Sequence, residues 1–455
     1  MAVGTLHKTT GTPVPEKSEG GFPYPGIPTT CDGAEAVVWV ETRISQGSGA
    51  YPITSSTTMG GGFNASMMNG IPNLWGDQLV FVEPESEHSA ATFCEGFAAA
   101  GGRVTNFTSG QGLVLMKEVL YTISGKRLPA VFNIGARALT SQGLNVHAGH
   151  DDVMSVADCG WGILFGRNAQ EAGDLCLISR RVAEASSTPF MNVQDGFLTT
   201  HTVESVHLNE DDFMKAYVGK PEDKLMNLMD TENPIMSGVV QNQDSYMKGK
   251  IAQRWYYDQV APALEEAFDE FYRNTGRRYG MVSSYRCEDA EYILVGIGSY
   301  METAQTTVDY LRDVKGVKAG CLNIYCFRPF PSQEIVDALK HAKAIAIIER
   351  MDDPLSTTGN HLTREIKAAF CDAITGQNGM EKIDHCPPIY HGAAGLGSRD
   401  VRAGDLIAVF DNMINDGQDF FVIGVKHALS LALTEDPDLR PPGAFSMRGH
   451  SIGGF

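Results

Sequence analysis

Three residues lie where an α/β sheet places its chemistry: Thr54, Glu87 and Arg137. Each stands at, or just past, the end of an apolar segment that reads as a strand. In open parallel sheets the carboxyl ends of the strands converge on one crevice, so residues distant in sequence can share a ligand there. Glu87 opens a helix crowded with small residues, Ser89, Ala90, Ala91, Gly96, Ala98 and Ala99. A carboxylate at a helix start gains from the helix dipole, which is a sufficient structural reason for it. The alternative is a carboxylate in a dry cleft, its proton position tuned for a cofactor. Arg137 offers a planar fork that suits bidentate capture of a carboxylate, although arginine is also an ordinary surface residue. Thr54 belongs to Gly49-Ala50-Tyr51-Pro52-Ile53-Thr54-Ser55-Ser56, read as a short strand breaking into hydroxyl residues that cap the next helix.

Other constellations are weaker. Gly296-Ile297-Gly298 follows an apolar run, but Met301 stands where a dinucleotide fingerprint needs its third glycine. The next strand ends in Ile324-Tyr325-Cys326 rather than an acidic residue. His147, His150, Asp151 and Asp152 share one polar loop, which suits either a metal or a solvated, hydrogen-bonded turn, and no helical H-x-x-x-H supports the metal. Neither a P-loop nor a G-x-S-x-G elbow occurs in the chain.

Positioning Thr54, Glu87 and Arg137 together requires an alternation of strands and helices, and the pattern supplies one. Asp32 is expected to cap a helix carrying Ala34, Val37 and Val40. Leu79–Val82 reads as a buried parallel strand, Val104–Thr108 as the next, with Ser109-Gly110-Gln111-Gly112 turning into a helix. Strands at 129–135, 161–166 and 189–193, with a helix near 168–186, complete a sheet covered on both faces. Residues 198–280 lose this rhythm and read as a connection lying on the first unit. A second alternation starts at Tyr292–Ser299 and continues through Leu322–Phe330, Ala344–Ile348 and Phe420–Gly424. The expected division is a flexible arm (1–24), a first α/β domain (25–197), the connection (198–280), a smaller α/β domain (281–438), and a linker entering a further domain (439–455) that is either cut short or carried on a separate polypeptide.

Bulk composition narrows the class. The 455 residues carry a formal net charge of −19 and are 43% hydrophobic, as in a large soluble enzyme. That charge argues against nucleic acid or an anionic membrane as the main partner, since both demand basic surfaces. Nine scattered cysteines show no C-x-x-C and no iron–sulfur or zinc spacing, which suits reduced thiols in a cytoplasmic protein. The chain has no run of about 18 apolar residues, hence no expected membrane span.

Eight motifs, in this order, give the chain a family resemblance: Thr30-Cys31-Asp32-Gly33-Ala34-Glu35-Ala36, Tyr51-Pro52-Ile53-Thr54, Glu83-Pro84-Glu85-Ser86-Glu87, Thr108-Ser109-Gly110-Gln111-Gly112-Leu113, Ala136-Arg137-Ala138, Gln194-Asp195-Gly196-Phe197, Phe327-Arg328-Pro329-Phe330 and Gly395-Leu396-Gly397-Ser398. They resemble the N-terminal part of the pyruvate:ferredoxin (flavodoxin) oxidoreductases, within the 2-oxoacid:acceptor oxidoreductase family. The resemblance implies two parallel-sheet domains, a thiamine-diphosphate pyrimidine-binding fold followed by a transketolase C-terminal-like domain. Glu87 matches the family's glutamate that hydrogen-bonds the aminopyrimidine ring of thiamine diphosphate. Thr54 and Arg137 match its substrate-binding threonine and arginine, for the keto oxygen and the carboxylate of a 2-oxoacid. Gly453 and Gly454 fall where the coenzyme A-binding domain begins, implying a coenzyme A contact.

The implied activity is oxidative decarboxylation of pyruvate to acetyl-CoA and carbon dioxide, with electrons passing through iron–sulfur clusters to ferredoxin or flavodoxin, in either direction. The same chemistry on 2-oxoglutarate or oxalate, and a non-catalytic scaffold subunit, are the alternatives. The chain has no G-D-G with a downstream Asn and no cluster-ligating cysteines. Magnesium, the pyrophosphate-binding half of the site and the clusters are therefore expected on other domains or subunits, in a dimer of protomers. Ser55 stands where the family usually has proline, which is expected to loosen the Thr54 corner and affect substrate size.

Overall fold

The computed structural model describes residues 21–431. Gly453, Gly454 and the first 20 residues of the expected arm lie outside the described residues. Two large sheets dominate. The first has seven strands in the order Cys326–Arg328, Gly162–Gly166, Phe190–Asp195, Val131–Ala136, Val104–Thr108, Gly47–Gly49 and Val80–Val82. All pairings are parallel except that of Cys326–Arg328 with Gly162–Gly166. The second has six, in the order Phe420–Val422, Ile389–Ala393, Ala344–Glu349, Tyr292–Gly296, Ala319–Ile324 and Val282–Tyr285, with only the last pairing antiparallel. Short apolar strands joined by helices can bury both faces only in this doubly covered arrangement.

Local chemistry explains the element starts. Asp32 accepts the Glu35 backbone N–H while Glu35 reaches back to the Asp32 N–H, a capping box that begins the helix Gly33–Ile44. Ser86 accepts the Ser89 N–H and begins Glu87–Ala99, and Asn168 does the same for Ala169–Ser186.

Several expectations are corrected. The strand before Thr54 is only Gly47–Gly49, and residues 50–53 leave it as an irregular segment. The next helix, Thr57–Met68, receives no side-chain cap: the Ser56 hydroxyl donates to the Ile53 carbonyl instead. Val80–Val82 is the edge strand of its sheet, with Val80 exposed, rather than a buried one. Elements whose pattern was too weak to be anticipated include the strands Val282–Tyr285 and Ile389–Ala393 and the helix Ala403–Ile414.

The segment Leu322–Phe330 is not one strand. It serves the second sheet up to Ile324, breaks at Tyr325, and joins the first sheet as Cys326–Arg328. The break is pinned by Tyr325, whose hydroxyl lies 2.6 Å from both Glu171 Oε1 and Arg167 Nη2 of the first unit. One apolar cluster accordingly runs from Phe132, Ile163 and Phe165 to Ile293, Leu322 and Ile347, so the two sheets share a core.

The connecting segment is more than a surface strap. Its strand Glu204–Leu208 pairs antiparallel with Ile27–Cys31, and its helix Val260–Thr275 packs with Phe213 and Tyr217 into a cluster around Leu175 and Ile178. Tyr24 joins it, stacking on Phe213 and donating its N–H to the Asn274 carbonyl at 2.9 Å. Among the described residues, the nine cysteines are all free and seven are buried. No helix there is long and apolar enough to cross a membrane.

Candidate functional site

Glu87, Arg137 and Thr54 do converge, and the loop Ser109–Gly112 is what joins them. That loop leaves the strand Val104–Thr108 between the strands preceding Thr54 and Arg137, so it sits in the middle of the sheet's carboxyl edge. Gly110 has φ +50°, and a Cβ there would meet Arg137 Cδ at 2.9 Å. A Cβ on Gly112 would lie 2.7 Å from Glu87 Cγ and 2.8 Å from both its Oε1 and the Thr108 hydroxyl. Glycine at these positions lets two charged side chains close on one turn.

Glu87 is 9% exposed. Among the described residues no donor is recorded for its carboxylate. Beside it the Thr108 hydroxyl is buried without a partner. Unpaired polar atoms in such a place are costly, and binding sites are where proteins retain them.

Arg137 is 5% exposed and is held from behind. Its Nη1 donates to the Thr54 carbonyl at 2.8 Å and its Nε to the Asn145 carbonyl at 3.0 Å. Among the described residues, Nη2 has no hydrogen-bond partner. Burial lowers its pKa, with the Asp152 carboxylate opposing. Thr54 itself is exposed at the corner.

The corner is not loose. Ser55 is 1% exposed and donates its N–H to the Ser109 hydroxyl at 3.3 Å. A Cβ on Gly196 would come within 2.2 Å of the Ser55 hydroxyl, so Gly196 is required by that packing.

Residues from the polar loop turn out to be structural supports. Asp152, fully buried, accepts the Gly110 N–H at 2.8 Å and the Arg137 N–H at 3.0 Å through one oxygen, and the Val153 N–H at 2.8 Å through the other. Burial pushes its carboxyl up to about 8, against the pull of those backbone donors. Asp151 accepts the Leu139 N–H at 2.7 Å. His150 turns inward, its Nε2 2.6 Å from Asp195 Oδ1. Among the described residues no group of histidine, cysteine, aspartate and glutamate could hold a metal.

Asp195 also explains why Gly296-Ile297-Gly298 is no nucleotide turn. Gly298 has φ +90°, and a Cβ there would lie 2.8 Å from Asp195 Oδ2. That oxygen accepts the Ser299 N–H at 2.9 Å and the Ser299 hydroxyl at 2.7 Å, while Arg350 stands 3.3 Å away. The start of the helix Tyr300–Asp313, where a dinucleotide would place its pyrophosphate, is occupied by the protein's own carboxylate. Burial alone would raise Asp195, but Arg350, His150 and Ser299 together hold it well below the usual carboxylate range. In the sequence Asp152 stands only as one member of a loop that could bind a metal, and Asp195 only as part of a motif, with no site role.

Comparison with known proteins shows what the chain is similar to. Residues 40–269 match the family model described as pyruvate flavodoxin/ferredoxin oxidoreductase, thiamine diP-binding, and residues 290–405 match pyruvate:ferredoxin oxidoreductase core domain II. The chain is 32% identical over 416 residues to the pyruvate-flavodoxin oxidoreductase of Trichormus variabilis, covering 90% of this chain and 34% of that one. It therefore spans about a third of that relative's length. To the pyruvate synthase subunit PorA of Thermotoga maritima it is 33% identical over 386 residues, covering 84% of this chain and 93% of the relative. A solved 2-oxoglutarate:ferredoxin oxidoreductase from Magnetococcus marinus, with 2-oxoglutarate, coenzyme A and succinyl-CoA bound, superposes with a TM-score of 0.61 at 16% identity, over 86% of this chain and 66% of that one. That likeness supports the fold. From the family-model match across half its residues and the near-complete alignment with a whole subunit, the chain belongs to the pyruvate flavodoxin/ferredoxin oxidoreductase family.

Proposed function

We propose that this chain supplies the aminopyrimidine half of a thiamine-diphosphate site in an enzyme that oxidatively decarboxylates pyruvate. The products are acetyl-CoA and carbon dioxide, and two electrons leave through iron–sulfur clusters to ferredoxin or flavodoxin. The reading rests chiefly on the Glu87 carboxylate, which is nine-tenths enclosed, has no recorded donor, and shares the Ser109–Gly112 loop with Arg137. Pyruvate is preferred to 2-oxoglutarate or oxalate because relatives of this chain in three lineages carry pyruvate in their names.

The residues present fit the group. The Glu87 carboxylate and the buried Thr108 hydroxyl have no protein hydrogen-bond partner among the described residues and flank Gly112, where a Cβ would crowd both, so they offer hydrogen-bonding groups to a polar ring. When bound, thiamine diphosphate supplies the electron sink that allows a 2-oxoacid to lose carbon dioxide. Glu87 would hold the aminopyrimidine ring by accepting a hydrogen bond from it, and its carboxylate would keep a proton at that position. Arg137, charged and anchored through Nε and Nη1, presents its outer edge to the substrate carboxylate. The Thr54 hydroxyl donates to the keto oxygen, where negative charge develops. Within this reading, residues 25–197 form the pyrimidine-binding unit and 281–438 the transketolase-C-like unit. Magnesium, the pyrophosphate-binding half, the clusters and the coenzyme A site, to which Gly453 and Gly454 belong, lie mainly on other domains or subunits of a dimer of protomers.

The test uses the complete enzyme and follows ferredoxin reduction. Turnover should require thiamine diphosphate, coenzyme A and a 2-oxoacid together. Glu87→Gln should lower kcat by about a hundredfold or more, and Arg137→Ala should act mainly on KM for the 2-oxoacid. Unchanged turnover in Glu87→Gln would refute its assignment. Failure of the assembled enzyme to bind thiamine diphosphate would leave this chain as a scaffold subunit.

A further inference from the structure

Gly395-Leu396-Gly397-Ser398 belongs to the second domain, far in sequence from Thr54, Glu87 and Arg137, and has no part in the chemistry above. It follows the strand Ile389–Ala393 at the carboxyl edge of the second sheet. There it closes on the loop of the first domain that runs from Arg137 to His150. Ser398 Oγ accepts the Ala148 N–H at 2.9 Å, and the N–H groups of Gly397 and Ser398 reach the Ala148 carbonyl at 2.7 and 3.2 Å. Both backbone groups of Ala148 are thus held by the other domain. The turn is built for close approach: Gly395, Gly397 and Ser398 all have positive φ, at 71°, 69° and 57°. A Cβ on Gly397 would lie 2.6 Å from Asn145 Nδ2.

Asn145 leads directly to the site. Its carbonyl receives the Arg137 Nε–H, its side-chain oxygen accepts the His147 N–H at 2.7 Å, and the His147 carbonyl accepts the Ala138 N–H at 2.9 Å. Arg350, 1% exposed, fixes the opposite end of the contact. Its Nη1 donates to the Gly395 carbonyl at 2.6 Å and its own carbonyl accepts the His150 N–H at 2.9 Å. Hydrogen bonds together with the 145–148 backbone therefore join the second domain to the guanidinium.

We infer that the Gly395–Ser398 turn is a positioning element for the 2-oxoacid site: it holds the Asn145–Ala148 loop, and through it the direction of the Arg137 fork. The second domain then takes part in substrate binding without touching substrate. This rests on Arg137 being the carboxylate-binding residue proposed above.

Ser398→Ala removes the acceptor for Ala148 and leaves the turn's backbone in place. In the complete enzyme it should raise KM for the 2-oxoacid about fivefold, the loss of one hydrogen bond. It should leave kcat and the affinity for thiamine diphosphate within about twofold, and Ser398→Asn, which keeps an oxygen acceptor and tolerates the positive φ, should recover part of the lost KM. Gly397→Ala, which pushes on Asn145 as well, should raise KM further. A purely structural role would lower the melting temperature and active fraction at unchanged KM, and that result would overturn the inference. So would a KM rise matched by an equal loss of thiamine diphosphate affinity. Arg137→Ala is measured alongside. A silent Arg137→Ala removes the substrate assignment and the inference with it, whereas a silent Ser398→Ala beside a strong Arg137→Ala removes the inference alone.

Discussion

The two sheets have the same architecture and use their carboxyl edges in opposite ways. On the first sheet that edge carries a carboxylate with no recorded donor at Glu87, an orphan hydroxyl at Thr108 and an arginine fork open on one side. On the second the equivalent positions are consumed by protein. Ser299 and Arg350 close on Asp195, and Gly395–Ser398 close on Ala148. A strand-end crevice is therefore only an opportunity. Whether it binds a ligand depends on whether the protein has already satisfied its polar groups.

That contrast yields three measurements. The largest effect is expected from Arg350→Met. Asp195 would keep its burial and lose its guanidinium partner, costing about 3–5 kcal/mol, read as a fall in denaturant midpoint with unchanged slope. A loss below about 1 kcal/mol would mean that the second edge is not held by this pair.

A smaller effect concerns acid. The folded-state pKa of Asp195 is depressed, so its contribution to stability is present above the ordinary carboxylate value and is lost as pH falls below about 4. Melting temperatures from pH 7 down to 3 should fall less steeply in Asp195→Asn than in the parent, from a lower starting point. Equal slopes would show that Asp195 is not the group being protonated.

The smallest effect belongs to the first edge. Glu87→Gln should change stability by less than about 1 kcal/mol, because its carboxylate loses only its interaction with the start of the helix Glu87–Ala99, while turnover collapses. A destabilisation comparable to Arg350→Met would erase the distinction between the two edges.

How much of this was legible in the sequence follows from the range of the forces involved. Helix starts marked by Asp32, Ser86 and Asn168 rest on contacts three residues apart, and Asp32 was read in advance as a cap. The strands Val104–Thr108 and 189–193 were read from their β-branched and aromatic residues, although each also buries an asparagine. The strand before Thr54 was overestimated because residues 50–53, although largely apolar, leave the sheet after Gly49, and Ala50, Tyr51 and Pro52 line a separate small cavity with Phe81 and Phe107. Leu322–Phe330 was read as one strand because hydropathy cannot say which sheet a residue joins.

By itself, the sequence determined the alternation of strands and helices, and with it the placing of Thr54, Glu87 and Arg137 at strand ends. These are properties of local propensity and periodicity, which act within a few residues. Only the tertiary structure decided that Gly110 and Gly112 bring Arg137 and Glu87 onto one loop, that Asp152 ties Gly110 to Arg137, and that Asp195 fills the turn at Gly298. Those contacts span 15 to 104 residues of chain. Their partners are selected by which strands lie side by side, and strand order is set by how the whole core packs.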